Sequence, residues 1–143
     1  MRELVPINVF AFMPFDAGSL EKIERYDGPG IFLVVEDGPS KAWAYVGVAN
    51  DSLKDRLRAL LLEPGELRDV IARGVSFAPV IIRNPASRDA AARFLVHELR
   101  PALGRSTRPP SEEHECVLKF YGPEEQHPPY TPGASGSAKV QAA

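Results

Sequence analysis

At 143 residues the chain is sized for a single domain with its own core, and 44% hydrophobic against 25% charged is an ordinary globular balance. One cysteine, Cys116, excludes an internal disulfide framework and any multi-cysteine zinc site. No apolar run approaches a membrane span, Met1 to Pro6 lacks the apolar region of a secretory signal, and a net charge of −2 does not advertise nucleic-acid binding.

Ile7 to Phe12 alternates and reads as a strand that ends at Met13-Pro14. Gly18-Ser19 caps a short expected helix from Leu20 to Tyr26. Asp27-Gly28-Pro29-Gly30 is a turn cluster. Ile31 to Val35 is a continuous β-branched and apolar run, as in a central strand. A hairpin loop over 36–40 returns the chain through Trp43-Ala44-Tyr45-Val46 as an antiparallel partner. Asp51 or Ser52 opens a helix, Ser52 with Asp55 three residues on resembling a capping box, and Leu53, Leu57, Leu60 and Leu61 share one face. Glu66 to Arg73 forms a second helix closed by Gly74.

Val75 to Ile82 is a third core strand, in which Pro79 marks an edge or a bulge. The longest helix runs from Arg88 to about Arg100 and stops at Pro101. Arg108 to Ser111 is a linker, and Glu115 to Tyr121 can form one more strand. From Gly122 the chain is rich in Pro, Gly, Ser and Ala and reads as disordered.

Charge is unevenly spread. Residues 1–29 carry a net −2, residues 30–110 a net +3 and residues 111–143 a net −3. The basic excess lies between Arg83 and Arg108, so Arg83, Arg88, Arg93 and Arg100 are candidate phosphate contacts. The alternative is a solvated helix face. Trp43 and Phe32 are candidates for base stacking, against the commoner role of hairpin aromatics in the core.

Three segments together carry a family likeness: Gly30-Ile31-Phe32, Tyr45-Val46-Gly47, and the helix Leu53-Lys54-Asp55-Arg56-Leu57. With the closing helix Leu95 to Leu103 they resemble the GIY-YIG nuclease superfamily over residues 28 to about 104. The resemblance implies an α+β fold: a small three-stranded antiparallel sheet flanked by helices at 30–110. An extra N-terminal strand and short helix at 1–29, a further strand at 111–121 and a disordered tail at 122–143 complete the expected organisation. The setting expected is cytoplasmic.

The family cuts a DNA phosphodiester with one divalent metal. A cation and an arginine fork stabilise the charge that builds on the phosphoryl oxygens, and at least one carboxylate must hold the metal. Carried over by residue, Tyr45 matches the active tyrosine and Arg56 the phosphate arginine. Each has a structural alternative, a strand tyrosine with a satisfied hydroxyl and an arginine paired with Asp55 or Glu63. Phe32 lacks the first hydroxyl, and Gly104 stands where asparagine often closes the motif. Counting back from Pro101, the metal glutamate position holds Ala92. Asp89, one turn away, is the candidate replacement ligand, although a first-turn acid is favourable in any helix.

Three readings follow. The first is a GIY-YIG-like domain with an incomplete catalytic set that binds nucleic acid or a protein. The second is an active divergent endonuclease using Tyr45, Arg56 and Asp89 with Mg²⁺ or Mn²⁺. The third is a protein-interaction module with no nucleic-acid role. No cofactor is expected for the first and third, and no membrane partner for any.

Overall fold

The computed structural model describes residues 2–23, 27–39, 41–104 and 108–131. In chain order the elements are β1 (Glu3–Val9), β2 (Met13–Pro14), α1 (Ala17–Lys22), β3 (Gly30–Glu36) and β4 (Trp43–Ala49). Then come α2 (Leu53–Leu62), a 3₁₀ turn (Gly65–Leu67), α3 (Arg68–Arg73), β5 (Val75–Ile81), α4 (Pro85–Leu99), β6 (His114–Phe120) and a last 3₁₀ turn (Glu124–Gln126).

The fold is mixed α and β, as expected, but its sheets differ from the expectation. The antiparallel sheet has four strands in the order β2-β5-β3-β4, not three. A second sheet pairs β1 with β6 in parallel. The N-terminal strand and the strand near residue 115 therefore belong to one unit, with Ile7 opposite Leu118. β1 also starts earlier than Ile7, because Val5, Ile7 and Val9 supply the buried alternation.

β3 is the centre of the molecule. Ile31 to Val35 are all fully buried, so both faces of this strand are covered. Ile31, Leu33 and Val35 face a core shared with α4 (Ala91, Leu95, Leu99), β1 and Leu118 of β6. Phe32 and Val34 face a second core with Leu20, Leu53, Leu57, Leu60 and Val70 from α1, α2 and α3. Successive strand side chains point to opposite faces, so α2 and α4 cover opposite sides of the sheet.

Local signals explain most boundaries. Ser52 caps α2 by accepting from Asp55 N–H at 3.1 Å. Gly74, at φ +106°, closes α3 and donates to Val70 and Ile71 carbonyls. α1 starts earlier than expected because Asp16, not Ser19, is the cap: its carboxylate accepts from Ser19 N–H at 2.8 Å. The expected end of that helix, to Tyr26, lies outside the described residues. α4 also begins three residues early. Asn84 caps it, accepting from Ser87 N–H at 2.9 Å, and Pro85 fills the first position, where no N–H is needed. Pro79 is tolerated because β2 pairs only with Ser76 and Phe77, so β5 has a single neighbour at the proline.

The expectation of a disordered tail needs correcting over its first ten residues. Residues 122–131 return to the body of the fold. Phe12 N–H donates to Gln126 Oε1 at 2.8 Å, and His127 stacks on Phe120 at 4.0 Å among Phe12 and Trp43. Aromatic burial here replaces the apolar period that the sequence lacks. Residues 132–143 lie outside the described residues. Among the described residues no helix is long and apolar enough to cross a membrane.

Candidate functional site

Of the motif residues, Arg56 lies beside the turn that joins β4 to α2. An open cleft of about 430 Å³ lies there, lined by Val48, Ala49, Asn50, Ser52, Asp55 and Arg56 with Asp51. Its frame is the Asp27 carboxylate. Ser52 Oγ donates to both Asp27 oxygens at 2.8 Å, and Gly28 N–H and Lys54 N–H donate at 2.8 and 3.0 Å. Burial raises the Asp27 pKa, but these hydrogen bonds and the Lys54 charge outweigh it and hold the carboxyl below its ordinary value.

The other first-turn amides of α2 are also committed. Leu53 N–H donates to the Gly28 carbonyl at 2.9 Å, Asp55 N–H to Ser52 Oγ, and Arg56 N–H to the Ser52 carbonyl at 3.0 Å. A phosphate approaching this helix end would find no open N–H group, and it would meet Asp51 and Asp55.

Arg88 joins the cleft to the other side of the sheet. It is buried, with Nε donating to Asn50 Oδ1 at 3.3 Å and Nη1 to the Ile82 and Arg83 carbonyls at 3.1 Å each. This arginine is a structural tie between α4, the end of β5 and the loop after β4. The Arg83 guanidinium lies against Gly28, where a Cβ would come within 3.1 Å of Nη1.

Tyr45 does not line the cleft with Arg56. It sits near the start of β4, half-buried, with its ring 6.0 Å from Phe32. The chain after α4 crosses it: Ala102 and Leu103 N–H donate to the Trp43 and Ala44 carbonyls, and a Cβ on Gly104 would strike the Tyr45 ring. Arg56 is exposed at the other end of the strand, in the first turns of α2. Phe32 is fully buried, and its Cζ fills the space beside Gly47. That contact explains why position 47 is glycine. It also removes Phe32 as a base-stacking surface, while Trp43 packs against Phe120 and His127.

Asp89 lies on α4, and its charge is already answered. Arg108 Nη1 and Nη2 reach its two oxygens at 3.1 and 3.2 Å, and Arg93 Nη1 reaches Oδ2 at 3.3 Å. Arg93 also donates from Nε to the Pro109 carbonyl at 2.8 Å. Ala92 packs on the core and offers no donor. Among the described residues no three His, Cys, Asp or Glu side chains gather as a metal site. The residues present do not fit the Mg²⁺ or Mn²⁺ that the resemblance implies. Of the expected phosphate contacts, Arg88 and Arg93 are used inside the fold, Arg83 is exposed, and Arg100 takes the left-handed cap of α4 at φ 50°.

Cys116 is a half-buried strand residue, its Sγ 3.7 Å from the Ala90 carbonyl. Burial pushes its thiol up to about 11, which suits packing and not nucleophilic attack. The sequence places His127 in the tail with no visible geometry and gives no role to Tyr130, whereas both pack near Phe120. The only signal for them is two ring-bearing residues set within a proline run, 127–130.

No protein-family model matches the chain, and no curated protein or solved structure matches it either. The family likeness stands on the residues quoted above and nothing further.

Proposed function

We propose that this chain is a binding domain on a GIY-YIG-like core whose catalytic set is incomplete, and that it engages a protein and does not cut DNA. The observation that carries this reading is the state of Asp89. The one acid near the missing glutamate position is held by two arginines, and Tyr45 does not share the cleft of Arg56. A phosphodiesterase needs a carboxylate open to metal and an arginine near the activating group.

A protein partner is favoured over nucleic acid because the basic stretch is internally engaged. Arg88 spends its guanidinium on Asn50 and two carbonyls, and Arg93 and Arg108 spend theirs on Asp89 and Pro109. Meanwhile Phe10 and Tyr121, 62% and 56% exposed, stack at 5.2 Å beyond the ends of β1 and β6. Paired exposed aromatics suit a protein contact. Fluorescence anisotropy with labelled duplex and single-stranded DNA at low salt tests the choice. No saturable binding is expected. Tight, salt-sensitive binding that falls in Arg83→Ala would overturn it.

A further inference from the structure

β6 presents an unpaired edge. Its ladder to β1 uses alternate residues: Glu3 N–H donates to the Glu113 carbonyl at 2.9 Å, and Tyr121 N–H to the Val9 carbonyl at 2.8 Å. In that parallel register His114, Cys116, Leu118 and Phe120 turn their N–H and C=O groups to the other side. Among the described residues no strand pairs with that side. The free side of β1 is different, because Pro6 has no N–H to offer there. Beside β6 lies a groove of about 400 Å³, lined by Leu118 and Phe120 and by Pro129 and Tyr130 of the returning chain.

The side chains of β6 alternate as well. Cys116, Leu118 and Phe120 pack on the core, and Glu115, Val117 and Lys119 lie on the outer face. Glu115 and Lys119 are exposed, one on each side of Val117. A two-fold axis perpendicular to a sheet reverses a strand and keeps its faces, so a second copy of β6 adds antiparallel with the same face outward. With the axis through Val117, the middle of the seven residues, each residue of one copy meets a residue of the other. Glu115 then faces Lys119 of the second copy, and Lys119 faces its Glu115. Axes through Glu115 or through Lys119 put like charges opposite each other instead. The open backbone groups fit the register centred on Val117. Cys116 meets Leu118 and His114 meets Phe120 as hydrogen-bonded pairs, and the two Val117 residues meet as a pair without hydrogen bonds, where side chains stand closest.

We propose that β6 pairs antiparallel with β6 of a second copy of this chain, centred on Val117, in a continuous sheet of order β1-β6-β6-β1. The occupant is a second copy and not an unrelated strand because the charge pattern is complementary to itself under a two-fold axis. The groove beside Leu118 and Phe120 receives the first residues of the incoming strand. The proposal does not rest on the state of the catalytic set, since β6 lies outside the stretch of 28–104 that resembles the nuclease family.

Sedimentation equilibrium of the full chain over a wide concentration range is the first test, and a reversible monomer–dimer equilibrium is expected. Glu115→Lys and Lys119→Glu each place like charges opposite one another at both symmetric pairs, and each should weaken the dimer at least about five-fold. The double variant restores opposite charges and should recover the parent affinity. Both side chains are exposed, so circular dichroism should show the parent fold in all of them. Val117→Cys fixes the register. Its two copies would stand about 4.5 Å apart between Cα atoms, within reach of a disulfide, and should cross-link under mild oxidation. Lys119→Cys should not, because its copies would be roughly 13 Å apart along the strands. Charge reversals that leave the dimer unchanged, a double variant no tighter than the singles, or cross-linking by Lys119→Cys in preference to Val117→Cys would overturn the proposal. A full chain that stays monomeric at every concentration would overturn it too, and would leave the edge to a strand of another protein.

Discussion

Arg108 grips Asp89 with both ends of its guanidinium, Nη1 at 3.1 Å and Nη2 at 3.2 Å, one on each carboxylate oxygen. This is the two-pronged geometry that makes arginine a strong carboxylate partner. It closes the position from which an acid on α4 could otherwise hold a metal, and Arg93 adds a third contact at 3.3 Å.

Asp89→Asn should therefore do the opposite of what loss of a metal ligand does. The variant removes the negative charge that Arg93 and Arg108 share, so the local potential becomes more positive and residual affinity for DNA at low salt should rise. Because the pairs are partly exposed, stability should fall by no more than about 1 kcal/mol. Anisotropy and urea unfolding read the two effects, and a fall in DNA affinity would contradict the account.

Phe32→Tyr restores the hydroxyl that the family motif carries, yet it should harm the protein. The ring is fully buried and its Cζ abuts Gly47, where the new oxygen would have to go. Overpacking and an unbonded hydroxyl each cost about 1–3 kcal/mol. Chemical denaturation should show a clear loss of stability. A variant as stable as the parent would mean that this part of the core has room.

Much of this core was legible in the sequence. The run Ile31 to Val35 has no polar residue, and its five-residue length, β-branched content and flanking Gly-Pro turns mark a strand covered on both faces. The Asp51-Ser52 pair and the leucine spacing announced α2, with Ser52 the cap in the structure, and Pro101 announced the end of α4. The pairing of β1 with β6 was not legible. Ile7 and Leu118 meet across almost the whole chain, and parallel partners leave no turn between them to read. The site failed for a similar reason. The motif placed Tyr45 and Arg56 on the right elements, but the path after Pro101, back across Trp43 and Ala44, is a tertiary fact. The partners of Asp89 likewise depend on where Arg108 lands beyond the end of α4.

Acid should weaken the frame of the cleft through Asp27. Its folded pKa lies below the ordinary value near 3.9, so the stability it contributes is complete above that value. That stability is lost as pH falls through the folded pKa. Asp27→Ala should cost about 1–3 kcal/mol at pH 7, since three donors around it lose a charged acceptor. The cost should shrink on going well below pH 4. Urea midpoints of parent and variant at both ends of this range check the sign; a gap that widens in acid would contradict it.

His127→Ala should loosen the return of residues 122–131. The ring is buried against Phe12, Trp43 and Phe120, and removing it opens a hole among three aromatic side chains. A loss of about 2–4 kcal/mol is expected, with a red shift of Trp43 emission as water reaches the indole. An unshifted spectrum would show that the segment does not cover Trp43.

The most direct test of the central claim is a plasmid-nicking assay on the full chain with Mg²⁺ and with Mn²⁺, run beside Arg56→Ala. With Asp89 held by two arginines and Tyr45 away from the cleft of Arg56, the parent should leave supercoiled DNA as intact as the variant does. Metal-dependent nicking by the parent that disappears in Arg56→Ala would contradict the account and make this domain a nuclease.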